Sequence, residues 1–463
     1  MKKQHLIYLL FISAVSAMGG LLFGYDWVVI GGAKPFYEPF FGISTSPSLQ
    51  GWAMSSALVG CLVGAFSTGY LSDRWGRKRM LLVAAALFIV SAFGTGAADR
   101  FPTFILWRIL GGVAIGVASN LSPVYIAEIA PARMRGRLVS LNQLTIVLGI
   151  LLAQIVNWQL SDPVAPGTTV EEIRLSWNGQ MGWRWMFWSC CIPATLFFLF
   201  AFFIPESPRW LAVKGQSRKA VDVMSRIVGR EEAAQQVAEL SAEYTVSQTA
   251  SQGGLRRLLH PSMRRVLTIG IVLAVFQQWC GINVIFNYAQ EIFSAAGYGV
   301  SDILMNIVVT GITNVVFTVI AMLLVDRLGR RPLLLIGAGG LTLIYVLMGG
   351  AYHFGLSGVA LLVVVVAAIA CYAMTLAPIM WVVISEIFPN AVRGVAMSIA
   401  TVALWSASFV LTYTFPLLNS SLGAAGTFWL YGFICLCGFF FVLRRVPETK
   451  NKTLEAIEKE LVR

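Results

Sequence analysis

Asp26 and Arg108 carry opposite charges, and each falls inside an apolar run long enough to cross a bilayer. An acid at the centre of a membrane helix costs roughly 2.5–3.5 kcal/mol on insertion scales, and an arginine a similar amount. Groups that expensive are kept for a task. A carboxylate beside a guanidinium stays ionised, and one that loses that contact in apolar surroundings has its pKa raised, so separating the pair drives proton uptake. Transport is the first function to consider. A buried pair that merely fixes two helices is the plainer alternative.

Composition supports a membrane setting. Of 463 residues, 57% are hydrophobic and only 12% are charged, about half the charged share of a soluble chain. Apolar stretches predict twelve membrane-spanning helices near 6–32, 51–72, 80–98, 104–127, 137–160, 183–204, 266–295, 303–325, 333–354, 358–386, 394–418 and 425–445. Lys2, Lys3 and Ala14-Val15-Ser16-Ala17 loosely resemble a secretory signal, but the run stays apolar to about Gly32. We read it as helix 1, not as a cleaved leader.

Positive charge sets the orientation. With both termini cytosolic, 29 of the 34 Lys and Arg residues face the cytosol; Lys34, Arg100, Arg174 and Arg184 fall in outside loops, and Arg108 is intramembrane. The net charge of +12 is then a topology signal, and no nucleic-acid-reading motif accompanies it. The seven cysteines all fall in predicted helices, where they act as small apolar packing residues, and the three histidines are scattered. Neither a metal site nor a cofactor is expected. Gly60-x-x-x-Gly64 and Gly112-x-x-x-Gly116 read as close helix packing.

The chain repeats itself in order. Asp73-Arg74-Trp-Gly76-Arg77 recurs as Asp326-Arg327-Leu-Gly329-Arg330; Glu128, seven residues before Arg135, recurs as Glu386, seven before Arg393; Pro205-Glu206-Ser207 recurs as Pro447-Glu448-Thr449. The offsets are 253, 258 and 242 residues, which makes two parallel six-helix repeats. The domains are therefore 1–204, a cytosolic helical linker over 205–265, 266–446, and a cytosolic tail over 447–463. In the linker Ser217 is expected to cap a helix whose apolar side is Ala220, Met224 and Ile227, continued by Val237, Leu240 and Tyr244.

These loops, with Pro205-Glu-Ser-Pro-Arg209-Trp-Leu, Gln277-Gln278-x-x-Gly281-Ile-Asn283 and Pro447-Glu-Thr-Lys, resemble the sugar porter branch of the major facilitator superfamily across essentially the whole chain. The likeness is strongest to bacterial xylose–proton and related hexose–proton symporters. It implies an all-α fold and a carrier of monosaccharide and protons, set in membrane lipid and functional as a monomer, in a bacterial inner membrane. A sugar is neutral and hydroxyl-rich, so its site needs amides that donate and accept, with aromatic faces to lie against. By resemblance Phe23, Gln143, Gln277, Gln278, Asn283, Asn287, Trp381 and Trp405 line it. The plainer reading is that amides bond to neighbouring helices and tryptophans fill a core. Breakers in helices 7 and 10, Gly281-Ile-Asn283 and Pro378, let the backbone bend around a substrate.

The resemblance also implies a cytosolic gate of inter-helix ion pairs, drawn from Asp73, Arg77, Glu128, Arg135, Arg137 and Glu206 in one half and Asp326, Arg330, Glu386, Arg393 and Glu448 in the other. Asp26 is implied as the proton-coupling acid, with Arg108 its partner. The chain departs from the xylose symporters in Asn287-Tyr288 where they carry two tyrosines, in Leu404 before Trp405, and in Cys190 where they carry an acid. A facilitative uniporter or a polyol carrier of inositol type fits the same residues. A non-transporting sugar sensor would be expected to carry a long cytosolic tail, and only about 18 residues follow helix 12. An enzyme lacks a nucleophile–base constellation.

Overall fold

A computed structural model of the chain describes residues 3–131, 133–165, 167–251, 261–295, 297–356, 358–389 and 392–450, and the regular elements among them are helices. The N-terminal half comprises α1 (Lys3–Phe41), α2 (Pro47–Trp75), α3 (Arg77–Gly96), α4 (Phe101–Ile129), α5 (Arg135–Leu160), α6 (Val170–Leu175), α7 (Trp183–Trp188) and α8 (Cys191–Ala201), with a π-helical turn over Asn178–Gly182. Between the halves lie α9 (Pro208–Val213), α10 (Ser217–Val228) and α11 (Arg230–Ser251). The C-terminal half comprises α12 (Pro261–Trp279), α13 (Ile282–Asn287), α14 (Ala289–Ala295), α15 (Val300–Leu328), α16 (Arg330–His353), α17 (Val359–Met374), α18 (Leu376–Ile387) and α19 (Arg393–Arg445).

Among the described residues, eleven helical stretches are long and apolar enough to cross a membrane, the last of them 51 residues long. At 1.5 Å per residue that last stretch would reach about 77 Å, more than twice the hydrocarbon core. It is two helices joined at Gly423, whose φ of 69° and ψ of 173° are not helical. The predicted twelve crossings are all present. Helix 1 runs nine residues past its expected end, to Phe41, through Pro35 and Pro39. Lys34, expected in an outside loop, is inside that helix and 1% exposed.

The breaks in helices 7 and 10 have local causes. Gly281 takes φ 85° between α12 and α13, against the ring of Tyr431, where a Cβ would sit 2.9 Å from the ring. In helix 10 the break falls at Thr375 (φ −121°, ψ −77°), one turn before Pro378. Proline has no N–H to give the carbonyl four residues back, so the turn preceding it is the one released.

By compactness the chain divides into one unit of Met1–Asp26, Val59–Gly149 and Phe187–Gln252, and another of Trp27–Leu58, Ile150–Met186 and Gly253–Arg463. The linker helices have a core of their own in the first unit, where Leu211, Ala212, Ala220, Met224, Ala233 and Val237 are buried together. Ser217 is the first helical residue of α10 and not its cap; Gln216 takes the cap position without a side-chain bond. Residues 252–260 and 451–463, parts of the predicted linker and tail, lie outside the described residues.

The glycine pairs bring α2 onto α4. A methyl at Gly60 would overlap the Ile109 carbonyl, and one at Gly116 would overlap that of Cys61. Backbones this close exclude any side chain, as expected for small-residue membrane packing. Gly60→Val should therefore cost at least the roughly 1–3 kcal/mol of an overpacked core, seen as a lower melting temperature in detergent. Gly69→Ala, which meets nothing within 4 Å, should not lower it.

Candidate functional site

Asp26 and Arg108 meet within the first unit. Arg108 Nη1 donates to both Asp26 carboxylate oxygens, at 3.0 and 3.1 Å, and Nη2 reaches the Asp26 backbone carbonyl at 3.5 Å. Both side chains are buried, 4% and 3% exposed. Gly111, one turn after Arg108, lies beside the pair: a Cβ there would meet Ser91 Oγ at 3.2 Å and Asp26 Oδ2 at an ordinary contact distance of 3.5 Å. The guanidinium lies 5.7 Å from the centroid of Phe187, and its Nε is buried without a partner. Charges withdrawn from water hold each other by hydrogen bonds as well as by attraction, and removing one strands the other.

Of the predicted sugar-site residues, those in the second unit are described together. Gln277, Gln278 and Asn287 are buried, 6%, 8% and 4% exposed. Asn283 Nδ2 donates to Gln278 Oε1 across the Gly281 turn. Among the described residues Gln277 Oε1 and Asn287 Oδ1 have no hydrogen-bond partner, while the Gln277 amide also stands in hydrogen-bond reach of the Tyr372 phenol. Buried acceptors are seldom left unpaired, and these two flank one helix break. Trp405 packs at 6.0 Å on Trp27 of α1, an aromatic partner not singled out in the sequence; Trp381 is half-buried in α18. In the first unit Phe23 and Gln143 are half-buried, on α1 and α5.

The repeated loops fold alike. Gly76 (φ 96°) and Gly329 (φ 92°) end α2 and α15 and open α3 and α16. Glu206 accepts the backbone N–H groups of Arg77 and Lys78, and Glu448 those of Arg330 and Arg331. A carboxylate at a helix N-terminus meets the unpaired N–H groups and the positive end of the dipole. Burial pushes the Glu206 carboxyl up, against the donors on Ser207, Lys78 and Arg77. Burial also works against Glu448, yet the N–H groups of Lys450, Arg330, Arg331 and Thr449 hold it below the usual carboxylate range.

The arginine after each glycine reaches a glutamate on another helix. Arg77 grips Glu128 with two bonds of 3.1 Å and Asp73 with one of 2.8 Å; Arg330 reaches Glu386 at 3.6 Å. Arg135 and Arg137 are exposed and outside these pairs, and the side chains of Asp326 and Arg393 lie outside the described residues.

One cluster escaped the sequence reading. Lys34 is ion-paired with Glu38 of its own helix and with Glu291 of α14. Lys34 and Glu38 stand four residues apart, the spacing of one helix face, and that was the available signal.

Broken helices, buried polar groups and a paired repeat describe a multi-pass membrane carrier. The family described as "Sugar (and other) transporter" matches residues 12–461, and the chain belongs to it. The chain is 39% identical to the arabinose–proton symporter of Bacillus subtilis over 453 residues, covering 98% of this chain and 95% of that one. It is 38% identical to the D-xylose–proton symporter of Escherichia coli over 481 residues, covering 97% and 95%. Its fold matches the inward-open structure of the E. coli xylose transporter with a TM-score of 0.84 at 36% identity, over 98% of this chain and 100% of that one. The family comprises transporters, and the chain is not an enzyme.

The two arginine–glutamate pairs differ in burial. Arg77 and Glu128 are 13% and 8% exposed and doubly bonded, whereas Arg330 and Glu386 are 17% and 25% exposed. Glu128→Ala should thus approach the roughly 3–5 kcal/mol of a broken buried pair, and Glu386→Ala, in a half-buried pair, should cost less. Melting temperatures of both variants in detergent would show the first falling further.

Proposed function

We propose that the chain is a proton-coupled monosaccharide symporter working by alternating access, with pentoses the foremost candidates. The observation that carries the reading is the buried Asp26–Arg108 pair, an acid and its single counter-charge set inside a membrane-spanning bundle. Relatives named as xylose–proton and arabinose–proton symporters support the coupling and the substrate class.

Asp26 is assigned as the proton-coupling acid and Arg108 as its counter-charge. When sugar-driven rearrangement separates them, the carboxylate in apolar surroundings takes a proton; when they re-pair, the proton leaves. One proton moved across about 100 mV supplies roughly 2.3 kcal/mol, enough for about fiftyfold accumulation. Gln143, Gln277, Gln278, Asn283 and Asn287 are assigned to the sugar hydroxyls, and Phe23, Trp381 and Trp405 to the sugar's faces. The unpaired oxygens of Gln277 and Asn287 support this, because a hydroxyl would complete them.

The cytosolic pairs at Asp73, Arg77, Glu128 and Glu206, and at Arg330, Glu386 and Glu448, are assigned to the gate that holds the inner face shut, with Arg135, Arg137, Asp326 and Arg393 completing it. The halves are taken as 1–204 and 266–446, working in one monomer in a bacterial inner membrane with both termini cytosolic. A facilitative uniporter would keep the same binding groups, and coupling separates the two.

Uptake of labelled pentoses and hexoses into proteoliposomes, with and without an imposed pH gradient, tests the reading. Accumulation above equilibrium only with the gradient is expected, and no transport of any sugar would refute it. In calorimetry, Gln278→Ala should weaken binding of the transported sugar by roughly tenfold to a hundredfold, the ~1–3 kcal/mol of an unpaired hydroxyl. Unchanged affinity would remove Gln278 from the site.

A further inference from the structure

Lys34 is 1% exposed, although the chain around it was expected to leave the membrane. Its Nζ lies 3.3 Å from Glu38 Oε1, pairs with Glu291 Oε1, and stands 4.9 Å over the ring of Tyr288. Glu38 Oε2 accepts a bond of 3.1 Å from Gln50 at the start of α2, which also donates to the Ser44 carbonyl. Tyr288 donates its hydroxyl to the Thr412 carbonyl at 2.6 Å. All of these residues lie in one compact unit.

The cluster ties the two halves of the sequence together. One turn before Lys34, a Cβ at Gly31 would sit 3.2 Å from the carbonyls of Phe286 and Asn287. Beyond it, Ser48 and Tyr413 share a hydrogen bond of 3.1 Å, and Gly51 lies against the Tyr413 carbonyl. The first and seventh membrane segments are thus closed on each other, with the lysine between them.

The charges do not balance. The groups that face one another are Lys34 and Glu38 from α1, Glu291 from α14 and the phenol of Tyr288; Arg184 of α7 turns to the rings of Phe40 and Trp183, at 4.8 and 4.6 Å. Among the described residues, two carboxylates on one ammonium leave a net negative charge where the Glu38 side chain is 8% exposed and Glu291 Oε2 is buried without a hydrogen-bond partner. An uncompensated charge withdrawn from water is costly, and one proton taken up by the cluster would remove it. Two acids that share one cation titrate as a pair, so the proton belongs to the pair.

We propose that Lys34, Glu38 and Glu291 form the outer gate of the carrier, and that closing this gate binds one proton from the external medium. The inference rests on the transport reading and topology proposed above, and it uses neither Asp26 nor Arg108. When the segments part, both carboxylates reach water and ionise. Acid outside then favours the closed gate and alkali the open one. A closed form holding one more proton than the open form shifts its population by up to tenfold per pH unit.

Spin labels introduced through unnatural amino acids at Thr45 and Ser420, both exposed, would report the gate in the full-length carrier in nanodiscs from pH 5 to 8.5. In the parent, the ratio of short to long distances should fall as pH rises, by up to tenfold per unit. Glu38→Gln leaves one carboxylate to one ammonium and should stay short at every pH. Lys34→Met leaves two carboxylates without a cation and should become short only at the acid end. Glu291→Gln provides the same charge balance as Glu38→Gln should that variant misfold by gel filtration. A parent ratio that ignores pH, or a Gln variant that keeps the parental slope, overturns the proposal. Downhill sugar exchange by the parent is measured alongside: its absence would sink the transport reading, while the distances still decide the gate.

Discussion

A charge that leaves water must bring its counter-charge with it, and much of this molecule is arranged around that requirement. Asp26 and Arg108 satisfy it one to one, with both carboxylate oxygens taken by a single guanidinium nitrogen. Lys34, Glu38 and Glu291 satisfy it only in part. In hydrocarbon such pairs cannot loosen gradually, because a half-separated charge is solvated by neither partner nor water. In the proposed cycle they serve as two-state elements. A carrier that must expose its site to one side at a time needs elements of that kind.

The helix ends solve a related problem with the backbone. Each half turns from one spanning helix into the next on a glycine of positive φ, and each turn leaves N–H groups unpaired. Glu206 and Glu448, 242 residues apart, fill the same role in the two halves. The arginine that follows each glycine then reaches across to Glu128 or Glu386. The motif recurs in both halves, and its two copies differ in burial.

The spans were legible in the sequence because length and hydropathy are enough to define a membrane helix. Ends were not. The apolar run was expected to end near Gly32 with Lys34 in an outside loop, yet the helix continues to Phe41, with Lys34 paired to Glu38 one turn on and to Glu291 on another segment. That last contact joins residues 257 positions apart, and no local pattern contains it. The helix 10 break was placed at Pro378 but falls at Thr375, since proline acts on the preceding turn. In the candidate site the pairing of Gln278 with Asn283 follows from five-residue spacing across a glycine turn. The packing of Trp27 on Trp405 does not, because it depends on how two distant helices face each other.

In the proposed cycle Asp26 is the group that carries the proton. Sugar-induced alkalinisation of a lightly buffered suspension of proteoliposomes measures that movement directly, set beside counterflow of the same sugar. With Asp26→Asn the proton signal should vanish while counterflow persists, since the binding amides are untouched. A variant that still takes up protons with sugar would contradict the assignment and place the coupling in another acid.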